Sequence, residues 1–202
     1  MTALGTKVQP EDDTVAVEGN TVSLPTEYKY FLLHKPPNVI STVDDPHNRK
    51  TVVDLIDTPR RIYPVGRLDY ETTGVLLLTD DGELTQQLTH PSNEVGRTYE
   101  IFYSGVLPDD AVEMCKSGLD IGEDQPAFGR LNPLWGKDQS GAAHLTLYTG
   151  RYHEVKRIFE VLGCHVERLH RLKFAGLDCG GLAPGEYREL TNQEIQTLKS
   201  RG

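Results

Sequence analysis

The sequence predicts an α+β fold with a mixed, largely antiparallel central sheet and flanking helices. From residue 28 onward, short runs with β propensity dominate, and several of them follow one another with no helix between. Four helical segments interrupt the remaining runs. A doubly wound parallel sheet requires a helical crossover after each strand, so these adjacent runs favour antiparallel pairing.

The amino-terminal segment, residues 1–26, is polar and broken by glycine and proline, and its only β-like run is Thr14–Val17. We expect an appendage or linker there, followed by one domain over residues 27–202. Eight further runs are apolar or β-branched enough to form strands. These runs are Tyr28–Leu33, Val39–Thr42, Ile62–Val65, Val75–Thr79, Val95–Tyr103, Ala127–Leu131, Ala143–Tyr148 and Val166–Phe174.

Four segments have the periodicity or the boundary signals of helices. The third has apolar residues at i, i+3, i+4 and i+7, from Val155 to Leu162, and a stop at Gly163. The last starts at Thr191 with Glu194 three residues later, which is the spacing of a capping box. The predicted helices are Gly82–Thr89, Asp109–Ser117, His153–Leu162 and the segment that starts at Thr191.

Composition excludes several classes of protein. No stretch of the 202 residues approaches eighteen consecutive apolar positions, and the first thirty lack the order of a signal peptide, so we expect a cytoplasmic protein without a membrane span. The three cysteines have no CxxC spacing, which argues against a disulfide framework and a zinc site. Neither a GxGxxG nor a Walker loop is present, so no nucleotide cofactor is indicated.

The net charge of −9 is unevenly distributed. Residues 1–150 contain 12 Lys and Arg against 23 Asp and Glu, whereas residues 151–202 contain 9 against 7. The stretch from Arg151 to Lys173 is the basic part of an acidic chain. It predicts a local surface for a polyanion, and its alternative interpretation is a solvated helix face with no partner.

The first polar cluster is the segment Gly66–Gly74, which lies between two β-like runs. Loops held by strands often display reactive side chains, although Asp69 here could equally accept backbone hydrogen bonds in a polar turn. Because a buried strand follows, Asp69 would stand near the edge of the core. A carboxylate there needs a neighbouring cation to remain ionised.

The second polar cluster is Gly150–Arg157, which opens the third helix. Its basic residues and free backbone N–H groups suit phosphate, or they are ordinary solvent-facing charges. Lys156 adjoins Val155 of the apolar stripe and therefore lies at its margin. From that position, its ammonium could reach a buried carboxylate.

Several motifs now occur together in one order. The run from Tyr63 to Asp69, continued by Thr72–Leu84, closely resembles the active-site motif of RNA pseudouridine synthases. The other matching segments are His34–Pro36, Arg97–Glu100, Gly150–Arg171 and Leu182–Arg188. The last two are similar to the ribosomal-RNA branch called RsuA/RluB, and the resemblance covers residues 28–198.

The resemblance implies a role for individual residues. Asp69 would be the catalytic aspartate, acting on a flipped-out uridine, and Lys156 the cation paired with it. Tyr99 would pack on the uracil and Leu169 lie beneath it. It implies ribosomal RNA as partner, a monomer, and no metal or cofactor. The candidate RNA-binding residues are Arg67, Arg97, Arg151, His153, Arg157 and Arg171.

The sequence departs from the family pattern in two places. Glu154 stands where glutamine is common, which we expect to add a negative charge near RNA. Residues 4–20 resemble only the tail of the small RNA-binding module that precedes the catalytic domain in this branch. We therefore interpret residues 1–26 as a remnant of that module and a linker.

Two alternatives differ in class from an RNA-modifying isomerase. One is a catalytically silent RNA-binding or ribosome-assembly protein on the same fold, against which the intact set of Asp69, Tyr99 and Lys156 speaks. The other is a hydrolase with Asp69 and Glu71 as paired carboxylates. Side chains two positions apart in this segment are expected to point apart, which disfavours the hydrolase.

Overall fold

A computed structural model describes residues 13–22, 27–137 and 139–200. Ten strands and four α-helices alternate along these ranges. The strands are β1 (Val15–Val17), β2 (Asn20–Val22), β3 (Tyr30–Lys35), β4 (Tyr63–Pro64), β5 (Thr73–Thr79), β6 (Arg97–Ser104), β7 (Gly129–Lys137), β8 (Ser140–Leu147), β9 (His165–Phe174) and β10 (Tyr187–Glu189). The helices are α1 (Gly82–Thr89), α2 (Ala111–Ser117), α3 (Glu154–Val161) and α4 (Asn192–Lys199).

Eight of the strands form one central sheet in the order β10-β3-β5-β9-β6-β8-β7, with β4 paired to β5 beside this path. Every pairing is antiparallel except that of β5 with β9, which is parallel over two residues of each strand. The predicted mixed, largely antiparallel sheet with flanking helices is confirmed. Among the described ranges, no helix has the length and apolar character needed to cross a bilayer.

Most predicted elements lie where the sequence places them, and the strand at Val39–Thr42 is wrong. This segment makes only an isolated bridge, between Ile40 and Thr51, because its neighbours in space are loop residues. The structure adds β10, a short edge strand that the sequence does not signal. It also extends the predicted strand at Ala127–Leu131 through Pro133, where the register shifts, as an edge strand permits.

The amino-terminal β-like run is confirmed as β1, which pairs with β2 in a small separate hairpin. The rest of residues 1–26 lies outside the described residues, so the domain boundary at residue 26 stays a prediction. At the other end, the capping box is present: the Thr191 hydroxyl accepts from the Glu194 amide, and the Glu194 side chain accepts from the Thr191 amide. Helix α4 therefore starts where the sequence predicts.

Strand β5 forms the centre of the core because both of its faces are covered. Leu76 and Leu78 pack in one apolar cluster with the stripe of α3, while Val75 and Leu77 pack in a second cluster with α1 and α4. Such a strand shows a continuous apolar run in place of alternation. The result is a rigid strand whose amino-terminal end, next to residues 67–72, is fixed in space.

Strands β5 and β9 meet at Gly74. Its φ of +114° favours glycine, and a Cβ at this position would lie 2.2 Å from the carbonyl oxygen of Arg171. No other residue type allows the two backbones to approach so closely. This contact brings β9 beside the loop that carries Asp69.

Candidate active site

A cavity of about 270 Å³ opens where the β4–β5 loop, β6, β9 and the start of α3 meet. It brings together side chains from parts of the chain that are far apart in sequence. All ten predicted site residues except Arg157 line it. The principal lining residues are Arg67, Asp69, Arg97, Tyr99, Arg151, His153, Glu154, Lys156, Leu169 and Arg171.

Asp69 lies on a tight loop, residues 67–72, which we call the aspartate loop. The amide of Thr72 donates to the carbonyl of Asp69 over 3.1 Å and closes a turn. Just before Asp69, the buried Ser41 hydroxyl donates to the Leu68 carbonyl (2.8 Å) and accepts from the Leu68 amide (3.1 Å). The backbone on both sides of the carboxylate is therefore held.

A fully buried lysine braces the same loop from inside. The Lys35 ammonium, at the end of β3, donates to the carbonyls of Thr72 (2.8 Å), Tyr70 (3.2 Å) and Pro36 (3.1 Å). Burial lowers its pKa to about 8, and the negative charge of Asp69 acts in the opposite direction. All three N–H groups are used, so Lys35 fixes the shape of the aspartate loop.

The sequence alone did not single out Lys35 as a brace. Its signal was a lysine at the end of the apolar run Tyr30–Leu33, in a position where a charge must find internal acceptors. Only the family resemblance draws attention to the run His34–Pro36. Its physical role becomes visible once the carbonyls of the loop surround the ammonium.

Two basic side chains face the Asp69 carboxylate. The Lys156 ammonium lies 3.4 Å from Oδ2, and Nε2 of His153 lies 3.6 Å from Oδ1. The expectation that Lys156 reaches a carboxylate from the margin of its helix is confirmed. However, the pair is not buried, because the side chains of Asp69 and Lys156 are 35% and 34% exposed. The carboxylate is open to an incoming ligand.

Tyr99 and Leu169 form an apolar wall opposite the carboxylate. Tyr99 points to the inner face of β6, in line with Ile101, since alternate residues of this strand are buried. Leu169 and Arg171 point to the same face of β9, and Arg171 is paired with Tyr99 across the two strands. The two strands therefore supply an aromatic ring and an aliphatic side chain to one cavity, as a flat, partly apolar ligand needs.

Arg97 and Arg171, two of the predicted RNA-binding residues, line the cavity with little exposed surface. Both are buried, which lowers the pKa of each guanidinium. Arg97 donates to the carbonyls of Val95 and Leu88, and Arg171 donates through Nε to the carbonyl of Val75. Strand alternation directs both inward, so they support the cavity from within the protein.

Residues 149–153, which we call the rim loop, carry Arg151 and His153 along one edge of the cavity. The buried Glu154 carboxylate accepts from the Thr149 hydroxyl and, over 3.0 Å, from the Arg151 amide. Its charge is turned inward, toward the Arg151 side chain at 3.6 Å. The expectation that Glu154 adds a negative charge near RNA stays a prediction, because the side chain lines the cavity while its carboxylate is buried.

Arg151 and Arg157 are engaged with the protein itself. Both pair with Glu123, and both donate to backbone carbonyls, Arg151 to Pro126 and Arg157 to Ile121. These contacts anchor the rim loop to the segment after α2. Among the arginines of the predicted set that line the cavity, Arg67 is the exposed one.

Glu71, the second carboxylate of the hydrolase alternative, is exposed and does not line the cavity. A glycosidase-like pair would need both carboxylates to flank one bond. Within the described residues, no group of three or more His, Cys, Asp or Glu is placed to hold a metal ion. Asp69 is the half-buried carboxylate of the cavity, and Lys156 and His153 lie beside it.

Comparisons with known proteins agree on one family. A family model described as RNA pseudouridylate synthase matches residues 29–161. The chain is 41% identical over 203 residues to a Bacillus subtilis protein named ribosomal large subunit pseudouridine synthase B, covering 99% of this chain and 82% of that protein. It is 36% identical to the Escherichia coli ribosomal small subunit pseudouridine synthase A, covering 95% and 83%.

Solved structures agree with the sequence comparisons. A crystal structure of a pseudouridylate synthase superimposes with a TM-score of 0.79 at 33% identity, covering 96% of this chain and 83% of that one. A ribonucleoprotein described as H/ACA RNP bound to a substrate RNA shares the fold at a TM-score of 0.54 and 17% identity. The sheet with its flanking helices is thus a known fold.

Proposed function

The chain belongs to the RNA pseudouridine synthase family, and from this we infer that the cavity around Asp69 isomerises uridine to pseudouridine in ribosomal RNA. The reaction breaks the bond between ribose C1′ and uracil N1 and joins C1′ to C5. The C5 proton is released to solvent and N1 takes up a proton, so the product is an isomer of the substrate and no redox partner or group donor enters the reaction.

One observation supports the assignment of residues. The Asp69 carboxylate lies 3.4 Å from the Lys156 ammonium, in the same cavity as Tyr99 and Leu169. In this proposal Asp69 acts on the ribose–uracil unit and Lys156 pairs with its carboxylate. Tyr99 lies against the uracil and Leu169 beneath it. A base inside a duplex cannot reach this cavity, so the uridine must be flipped out of its stack.

Arg67 and His153 are the proposed RNA contacts of the predicted set. Arg67 is exposed beside the cavity and carries a full charge for a phosphate, or fills the gap that the uridine leaves. His153 lies at the rim with Asp69 in reach. A ribosomal RNA substrate also agrees with the cytoplasmic location expected from the sequence.

A catalytically silent RNA-binding protein has no need for this arrangement. A fully buried lysine with three carbonyl partners and a half-buried carboxylate with Lys156 and His153 beside it are costly to maintain. Their physical effect is to fix one carboxylate in an open cavity. That effect serves chemistry on a bound uridine and contributes nothing to binding a phosphate backbone.

The test is Asp69→Asn, which exchanges one carboxylate oxygen for an amide of the same shape. Tritium release from RNA labelled at uracil C5 should fall to background on both small- and large-subunit transcripts, because the relatives are named for each subunit. RNA affinity and thermal unfolding should stay close to wild type. Substantial residual turnover would remove Asp69 from its proposed role.

A further inference from the structure

Tyr152 and His153 lie together at the rim of the cavity, and the proposed function gives no role to Tyr152. The rings of Tyr152 and His153 are stacked, with centroids 3.8 Å apart and an angle of 18° between their planes. Tyr152 is nevertheless 67% exposed. One face of its ring meets His153, while the side chain remains largely in solvent at the edge of the site.

Neighbouring side chains seldom stack in this way. In a strand, consecutive side chains point to opposite faces, and in a helix they diverge around the axis. Here His153 adopts a left-handed conformation, with a φ of 52°, which is uncommon for a residue other than glycine. This turn between the rim loop and α3 allows the two rings to lie face to face.

The surrounding bonds keep the rim loop in this conformation. Glu154 accepts from Thr149 and from the Arg151 amide on one side of the stack, and Arg157 donates to the Tyr152 carbonyl over 3.4 Å on the other. Backbone strain persists only where its surroundings impose it, and it is concentrated at functional sites. The exposed ring is therefore presented by a braced loop.

The stack is continuous with the catalytic carboxylate. His153 touches Asp69 through Nε2, and Tyr152 lies one ring further out. A nucleotide next to a flipped uridine loses its stacking partner when the uridine leaves. Unpaired bases find a replacement partner on exposed aromatic side chains, whatever their sequence.

We propose that the Tyr152–His153 stack is a binding subsite for the unpaired nucleobase adjacent to the target uridine. The subsite rests on the proposed function, because it takes a neighbour of the same flipped nucleotide. Its contribution is binding energy and positioning of the strand. Bond breaking stays with Asp69.

The first test compares KM and kcat for tritium release from ribosomal RNA transcripts. Tyr152→Ala should raise KM roughly tenfold or more, the effect of losing one base–aromatic stack, with kcat at saturating RNA within about twofold of wild type. Tyr152→Phe keeps the ring and should behave as wild type. Trp135→Ala is the matched control, because Trp135 is 51% exposed on the edge strand β7, away from the cavity.

The second test measures stacking without turnover. A short single-stranded RNA with one uridine and 2-aminopurine beside it should lose fluorescence on binding the wild type and Tyr152→Phe. Tyr152→Ala should remove that loss of fluorescence, and Trp135→Ala should preserve it. Thermal unfolding of all variants checks that the largely exposed Tyr152 has been replaced without damage to the fold.

The outcomes separate the subsite from the function on which it rests. An unchanged KM for Tyr152→Ala, an equal defect in Tyr152→Phe, or quenching that does not depend on Tyr152 would overturn the subsite. Absence of tritium release by the wild type would instead refute the proposed function. In that case, Tyr152-dependent quenching would still identify the stack as a site for an unpaired base.

Discussion

The aspartate loop and the rim loop meet at one cavity, and buried charges of opposite sign hold them in shape. Lys35 donates three hydrogen bonds, all to backbone carbonyls and two of them in the aspartate loop. Glu154 accepts from a hydroxyl and a backbone amide of the rim loop. An ammonium satisfies carbonyls and a carboxylate satisfies N–H groups, so the sign of each brace follows from which backbone groups each loop turns inward.

The two loops also differ in what they present. The aspartate loop carries one reactive carboxylate and is pinned on both sides of it, by Ser41 and by Lys35. The rim loop carries an exposed aromatic ring and a histidine in a strained conformation. Damage to the first should therefore reduce the chemical step, and damage to the second should reduce RNA binding.

Among substitutions of the residues that hold the two loops, the largest effect is expected for Lys35→Met. It leaves three carbonyls without their donor, at about 1–3 kcal/mol each, partly offset because a buried ammonium is no longer desolvated. Displacement of Asp69 by even about 1 Å can cost roughly 100-fold in rate, so kcat should fall at least that far. Single-turnover tritium release measures the fall.

The control for Lys35→Met is Lys29→Met, which removes an exposed lysine paired with Glu189 and should leave kcat unchanged. Urea denaturation of both variants separates loss of loop geometry from loss of the fold. A Lys35→Met enzyme with wild-type kcat would show that Lys35 does not position the Asp69 carboxylate, and the proposed difference between the two loops would be wrong.

Lys156→Met removes the cation through which α3 reaches the aspartate loop, so it tests the link between the two regions. We expect kcat to fall by roughly tenfold to 100-fold, because Asp69 loses the ammonium that lies 3.4 Å from its Oδ2. Lys156→Arg preserves the charge and should lose less. Rates measured on saturating RNA distinguish these outcomes. Equal losses in Lys156→Met and Lys156→Arg would show that the shape of the lysine side chain matters, and not its charge.

Glu154→Ala removes the acceptor that braces the rim loop. We expect KM to rise about tenfold as Tyr152 and His153 lose their fixed positions, with kcat nearly unchanged. Glu154→Gln should be close to wild type, because its carbonyl can accept from the Arg151 amide while its NH₂ donates to the Thr149 hydroxyl. A fall in kcat alone would place the rim loop in the chemical step.

The smallest effect is a pH dependence of stability. The pKa of Lys35 is about 8 in the folded protein and 10.5 when unperturbed, so the unfolded chain binds more protons between these values. Its contribution to the free energy of unfolding should therefore rise with pH from about 8 to about 10.5, by on the order of 1 kcal/mol per pH unit. Below pH 8 the cost of burying the charge is fully present.

Urea denaturation of wild type and Lys35→Met at several pH values isolates this contribution, because all other groups are shared. The free energy of unfolding of the wild type minus that of Lys35→Met should increase from about pH 8 to about pH 10.5. A constant or decreasing difference would contradict the lowered pKa and, with it, the burial of a charged brace.

The sequence predicted the central sheet well and its edges poorly. Strand β5 is recognisable because an apolar run of four residues between polar turns has one physical solution, burial on both faces. The edge strand β10 consists of Tyr187, Arg188 and Glu189, and its pairing depends on the position of β3. Segment Val39–Thr42 has the composition of a strand but makes only an isolated bridge, between Ile40 and Thr51.

The site was predictable where spacing along one element decides it. Lys156 was placed at the margin of its helix by the position of Val155, and its carboxylate partner lies there. The inward direction of Arg97 and Arg171 could have been predicted from alternation with Tyr99 and Leu169. The braces Lys35 and Glu154 could not, because their partners are backbone groups that only the folded loops bring together.

The most direct test of rRNA pseudouridine formation through Asp69 is a map of pseudouridine in ribosomal RNA. It compares cells with the gene, cells without it, and cells with Asp69→Asn in its place. We predict that at least one uridine loses its modification without the gene. Wild type should restore that modification, and the Asp69→Asn variant, produced at the same level, should not. An unchanged map, or restoration by Asp69→Asn, would contradict rRNA pseudouridine formation through Asp69.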